Sequence, residues 1–295
     1  MHLKNKVFQA KKFPWYRPLI WLLYALAISI LYANTNWIKS IPLAIPSIIG
    51  TAISLFLGFR TNSSYQRWWE ARKIWGEIVN NSRTLARQIL TFGDASKNIK
   101  IRKSIVYRQI YWCWILAHKL RKLPLNQDQN KYLDSSEEKE IENSTNVPNK
   151  VLFNQQIALS KLLQDGSIND FDFRKIDGTL KLLCDSMGKC ERIKNTEFPT
   201  QYSLYTRVFL YVFLILFPLA IVESMGYYTV LIQFLTGFTF IMIQNIAFSL
   251  QDPFENNASD IPVFAISRTI ERNLLEMTGE KNLPEDWKAE NNVLM

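Results

Sequence analysis

Histidine is nearly missing from this sequence, with only His2 and His118 among 295 residues. A histidine-based metal centre or catalytic cluster is thereby excluded. Cysteine is almost as scarce: Cys113, Cys184 and Cys190 are an odd number with no Cys-x-x-Cys spacing, so neither a zinc knuckle nor a disulfide framework can be built from them. No glycine-rich phosphate loop and no Ser/His/Asp set occurs, which leaves an enzymatic reading without chemistry to rest on. No small-residue cleavage site follows the first apolar stretch, so that stretch is expected to be retained as a helix. No internal repeat is visible either.

What the sequence does contain is apolar residues gathered in four blocks: Ile20–Ala33, Ile41–Phe59, Val208–Val222 and Met225–Leu250. A helix crosses a hydrocarbon core of about 30 Å with about 20 mostly apolar residues. The second and fourth blocks carry no charge and satisfy this alone. The first and third are shorter and would use Trp15, Tyr16, Trp37, Tyr202 and Tyr205 as interfacial anchors.

The formal net charge of +9 could point to nucleic acid, but its distribution does not. Basic residues cluster before the first block (Lys4, Lys6, Lys11, Lys12, Arg17) and after the second, from Arg60 to Lys103. The short connections near 34–40 and 223–226 hold only Lys39 and Glu223. A solvated charge run would explain any one segment; together they give the positive-inside pattern of four spans with both termini cytoplasmic, in the inner (plasma) membrane. The three cysteines then fall inside the cell and are expected to be free thiols.

The fold class expected is therefore an all-α integral membrane protein with four transmembrane helices and a large cytoplasmic helical region. Residues 1–59 hold the first helix pair, 60–203 a helical insert with a mobile loop near 124–150, 204–250 the second pair, and 251–295 a cytoplasmic tail. Helical spacing places Ile74, Ile78, Leu85 and Ile89 on one face. Ile105, Ile110, Trp112, Trp114 and Ile115 read as core, and Leu180, Leu183, Met187 and Cys190 as a further helical row. Pro253 and Pro262 break the chain before an amphipathic helix with Ile266, Ile270 and Leu274 on one face.

If the second span continues past Phe59, Thr51, Leu55 and Phe59 form one stripe that rises about 12 Å. Asn62 and Ser63 continue it as a polar mouth. Copies of such a stripe around an axis would make apolar rings able to gate ions by excluding water. On spacing alone, ordinary helix packing through Gly50, Ala52, Ser54 and Gly58 is the better reading.

"FLGFRTNSSYQRWWEARKIWG" at 56–76, "GKCERIKNTEFPTQYS" at 188–203 and "QDPFENNASDIP" at 251–262 occur in this order. At these stretches the sequence resembles the bestrophin family, in particular its prokaryotic members. The resemblance implies a homopentameric ion channel with Thr51, Leu55 and Phe59 as a hydrophobic neck and a helical cytoplasmic vestibule below it. It places a second constriction at Leu183, with Met187 one turn later as the nearest competitor. The implied partners are further copies of the chain, membrane lipids and small monovalent ions.

Two departures from the animal pattern stand out. A threonine tops the neck where animal members are more aromatic. The turn that carries a calcium clasp in animal members keeps Asp252 and Asp260 but has Asn257 where a carboxylate would be expected. Calcium favours several carboxylates, so a structural turn is expected and no cofactor. Glu70, between Arg67 and Arg72, is expected to pair with an arginine and lock neighbouring helices. For the permeant ion, cations (Na+ or K+) are expected, with an anion channel for chloride or bicarbonate as the alternative. A coupled transporter would want an ionisable residue near mid-membrane, and none is seen.

Overall fold

A computed structural model describes residues 15–35, 39–124 and 127–288. His2, Lys4, Lys6, Lys11, Lys12 and Trp37 lie outside the described residues. Among the described residues every regular element is helical: α1 (Tyr16–Asn34), α2 (Ala44–Thr91), α3 (Ile99–Leu120), a 3-10 turn (Gln127–Tyr132), α4 (Ser135–Glu142), α5 (Val147–Gln164), α6 (Asp170–Asn195), α7 (Thr200–Met225), α8 (Tyr228–Leu250) and α9 (Val263–Met277). Four of these, α1, α2, α7 and α8, are long and apolar enough to cross a membrane.

Two compact units are formed from interleaved stretches of chain. Among the described residues an apolar unit takes 15–35, 39–68 and 196–253, and a polar unit takes 69–124, 127–195 and 254–288. The seam in α2 falls nine residues beyond Phe59, where the uncharged run ends, because Arg60 and Ser64 are still fully buried within the apolar unit.

In the apolar unit α2 buries Ile53 and Leu57 against Leu210, Phe213 and Leu214 of α7 and Ile241 of α8. These two α2 positions are four residues apart, as neighbours on one face of a helix are. Gly50 lies on the same side, and a Cβ there would come within 2.9 Å of the Phe213 ring. α1 is held by a Trp15–Phe238 stack at 5.7 Å and by Tyr24, whose hydroxyl donates to the Ile215 carbonyl at 3.1 Å. Pro218 sits inside α7 and has no N–H to donate to the Leu214 carbonyl. The Gln233 side chain of α8 donates to that carbonyl at 2.8 Å. α7 ends on Gly226, whose φ of +50° with ψ of −127° suits glycine.

The polar unit is built on α3. Ile105, Ile110, Trp112, Trp114 and Ile115 are all buried, as are Ile74, Ile78, Leu85 and Ile89 of α2. α9 lies on α3 through a Trp114–Phe264 stack at 6.0 Å and the indole N–H of Trp114, which donates to Glu271 at 3.2 Å. Of its expected row, Ile270 and Leu274 are fully buried and Ile266 is partly so.

The loop expected near 124–150 contains the 3-10 turn, all of α4 and the start of α5. The helices there rest on a few groups that polar composition conceals. Ile141 is fully buried, and Glu137 accepts from Arg108 at 2.6 Å and from Asn154 at 3.0 Å. Arg102, counted in the sequence as one topological charge among many, is likewise a structural residue. It donates to the carbonyls of Ile89, Phe92, Asp94, Lys97 and Ser167, and so satisfies acceptors that the end of α2 leaves open.

Candidate ion pathway

Residues on α2 divide sharply by face. Ile53, Leu57, Arg60 and Ser64 are at most 1% exposed, whereas Leu55 is 59% and Phe59 64% exposed. Thr51, Asn62 and Ser63 share the exposed side. The stripe expected from the sequence is therefore one continuous feature of the surface of the apolar unit, turned away from its core. Packing through small residues accounts for Gly50 alone within the chain. Ala52 and Ser54 are exposed, and nothing lies within 4 Å of a Cβ placed on Gly58.

The two hydroxyls of the stripe are turned toward the helix backbone. Thr51 Oγ1 donates to the Ser47 carbonyl at 3.0 Å and Ser63 Oγ to the Phe59 carbonyl at 2.9 Å. Thr51 thus shows its methyl and an oxygen lone pair, with its proton committed to the backbone. Between Thr51 and Ser63 the exposed side carries no ionisable side chain; Arg60 points to the buried side.

The residues expected at a second constriction do not face out of the unit that holds them. Leu183 is fully buried and Met187 is 4% exposed, both inside the polar unit. Their spacing with Leu180 and Cys190 is that of a core face, and all four are buried. The exposed apolar residues of α6 are Leu182 and Phe171, and Phe171 at 77% is the most exposed large apolar side chain among the described residues.

The turn at 251–262 separates its acidic residues. Asp252 belongs to the apolar unit, where Arg67 Nη2 approaches it at 3.7 Å and the Gln251 amide donates to it at 2.9 Å. Asn257 and Asp260 belong to the polar unit, where the Asn257 carbonyl accepts the Asp260 N–H at 3.1 Å. Asp260 is 5% exposed, and neither carboxylate oxygen makes a hydrogen bond of good geometry among the described residues. Burial pushes its carboxyl up to about 6, against the opposing pull of Arg121 and of the nearby N–H groups of Asn257, Glu255 and Asn256. Arg121 is buried too, and burial lowers its guanidinium to about 10. Among the described residues no group of three or more His, Cys, Asp or Glu could hold a metal ion. Asp260 and Arg121 are thus two opposite charges buried in the same unit.

Glu70 pairs with Arg192 of α6 at 3.3 Å, and Glu77 with Lys189 at 3.0 Å, so α2 and α6 are bridged twice within the polar unit. Both pairs are exposed and worth little in stability, on the order of 1 kcal/mol or less each. Their use is orientation. The three cysteines are free, and burial raises the Cys113 thiol to about 12.

Comparison with known proteins gives a consistent picture. The family model described as "Bacterial/Fungal Bestrophin protein" matches residues 14–276. The voltage-dependent anion channel-forming protein YneE of Salmonella typhi is 34% identical over 238 residues, covering 81% of this chain and 77% of that protein. A voltage-dependent anion channel-forming protein of Nostoc sp. is also 34% identical, over 236 residues, covering 79% and 76%. The crystal structure of a bacterial bestrophin homologue from Klebsiella pneumoniae superposes with a TM-score of 0.85 at 32% identity, over 90% of this chain and 99% of that one.

Proposed function

The chain belongs to the bacterial and fungal bestrophin family, and we propose that it forms a homopentameric channel for small monovalent anions. One observation carries the pore assignment: Thr51, Leu55 and Phe59 project from the apolar unit while the opposite face of the same helix is its core. Leu55 and Phe59 rings, stacked about 6 Å apart along the axis, make a neck that ions cross only when it is wet. Below it, Asn62 and Ser63 form a polar mouth.

The anion reading replaces the expectation of cations. No residue of the stripe carries charge, so the stripe itself discriminates by dehydration and not by sign. The relatives, named as anion channel-forming proteins, supply the preference. The same names speak for a channel and against an enzyme. The basic segments flanking the spans support cytoplasmic termini in the plasma (inner) membrane. For the second constriction the exposed Phe171 and Leu182 take the place of Leu183 and Met187.

The test is the reversal potential of purified protein in a planar bilayer under a KCl gradient. A shift toward the chloride potential is expected. A shift toward the potassium potential overturns the anion reading and leaves the channel; absence of current overturns both.

A further inference from the structure

Arg60 is a fully buried cation whose Nε and Nη1 have no hydrogen-bond partner among the described residues. Its guanidinium lies 3.9 Å from the centre of the Phe248 ring and 5.4 Å from that of Phe198, and Nη2 donates to Gln251 at 3.1 Å. Arg207 of α7 approaches the same Phe248 ring at 5.8 Å. Two guanidiniums therefore share one aromatic ring, and neither pairs with a carboxylate among the described residues. Asp252 is engaged by Arg67, and Glu197 forms no ion pair among the described residues. The first turn of α7, next in sequence to Phe198, has neither a side-chain cap nor an acidic residue, so its N–H groups add to the positive field. This corner of the apolar unit is short of negative charge.

Arg207 also sits on a surface that water does not suit. Its neighbours Leu204, Tyr205, Val208 and Phe209 are each more than 40% exposed. An arginine on an apolar helix face near a span end extends its stem along that face and places its guanidinium at the headgroups. Guanidinium and phosphate match in charge and in paired hydrogen bonds.

We propose that Arg207, with the buried charge of Arg60 behind it and the open first turn of α7 beside it, binds the phosphate of an anionic phospholipid headgroup. Arg207 makes the contact and Arg60 acts through the field. The site requires α7 to lie in a membrane and does not depend on which ion the protein conducts.

The test is native mass spectrometry of the full chain titrated with phosphatidylglycerol and with phosphatidylcholine of the same acyl chains. Wild type should retain phosphatidylglycerol in preference by about fivefold, the effect of one basic residue at an anionic surface. Arg207→Gln should lose that preference and Arg207→Lys keep part of it, with the oligomer mass unchanged in both. Equal retention of the two lipids by wild type overturns the proposal, as does an undiminished preference in Arg207→Gln. Displacement of the lipid by inorganic phosphate would make this a soluble-phosphate site and overturn the lipid reading. A change of oligomer mass in Arg207→Gln with lipid preference intact would make it a contact between copies.

Discussion

Gln233 of α8 donates its side-chain amide to the carbonyl of Leu214, the acceptor that Pro218 leaves open one turn later in α7. In hydrocarbon an unpaired carbonyl is costly, so a proline inside a spanning helix needs a donor from elsewhere. Gln233→Leu is expected to destabilise the protein by about 0.5–2 kcal/mol, the range for such bonds between membrane helices. Pro218→Ala restores the intrahelical donor, so Gln233→Leu should cost less in the Pro218→Ala background. Unfolding of the four variants in detergent measures the coupling, and additive effects would show that the amide does not serve this carbonyl.

The two faces of α2 should separate function from stability. Leu55→Ala and Phe59→Ala remove apolar bulk from the exposed stripe and are expected to enlarge the single-channel or macroscopic current with little loss of stability. Ile53→Ala and Leu57→Ala empty the core and should cost about 2–5 kcal/mol, with conductance per folded channel unchanged. Bilayer recordings paired with thermal unfolding distinguish these outcomes. Unaltered current in both Leu55 and Phe59 variants would remove the neck from this helix.

The four long apolar helices, the helical insert and the exposed stripe were legible in the sequence because each is a property of one helix read along its length. Ile74, Ile78, Leu85 and Ile89 occupy a single face and are buried on it. What depends on two distant stretches was not legible. Arg102 looks like any surface arginine until Ile89, Phe92 and Ser167 place carbonyls around it. Gln233 reads as an isolated polar residue in a span until Pro218 faces it. Residues 127–142 looked too polar to order, because the burial of one isoleucine and the pairing of Glu137 with Arg108 leave no trace in local composition. Leu183 was a position in a row whose outward neighbour, Leu182, carries the exposure.

The proposed second constriction rests on a division between the two rows of α6 of the same kind. Phe171→Ala and Leu182→Ala should alter ion selectivity or conductance while leaving stability within about 0.5 kcal/mol, as exposed substitutions do. Leu183→Ala should instead lower stability by about 2–5 kcal/mol, because Leu183 is wholly buried. Reversal potentials in mixed-ion gradients, with unfolding measured on the same preparations, separate the two rows. A selectivity change confined to Leu183→Ala would return the aperture to the buried row.

Asp260 sets a pH dependence whose sign follows from its direction of shift. Its carboxyl stands at about 6 in the folded protein, above the ordinary 3.8, so the folded state binds the proton more tightly than the unfolded chain. The contribution to stability is full below about 4 and is lost as pH rises through about 6, by a few kcal/mol at roughly 1.4 kcal/mol for each pK unit. Arg121, whose Nη2 donates to the adjacent Ile261 carbonyl at 2.8 Å, limits that loss without abolishing it. Asp260→Asn removes the titrating group, so the difference in melting temperature between variant and wild type should change between pH 4 and pH 7. The variant gains relative to wild type as the pH rises. Thermal unfolding across this window in detergent reads the slope directly, and parallel curves for the two proteins would mean that Asp260 does not titrate there.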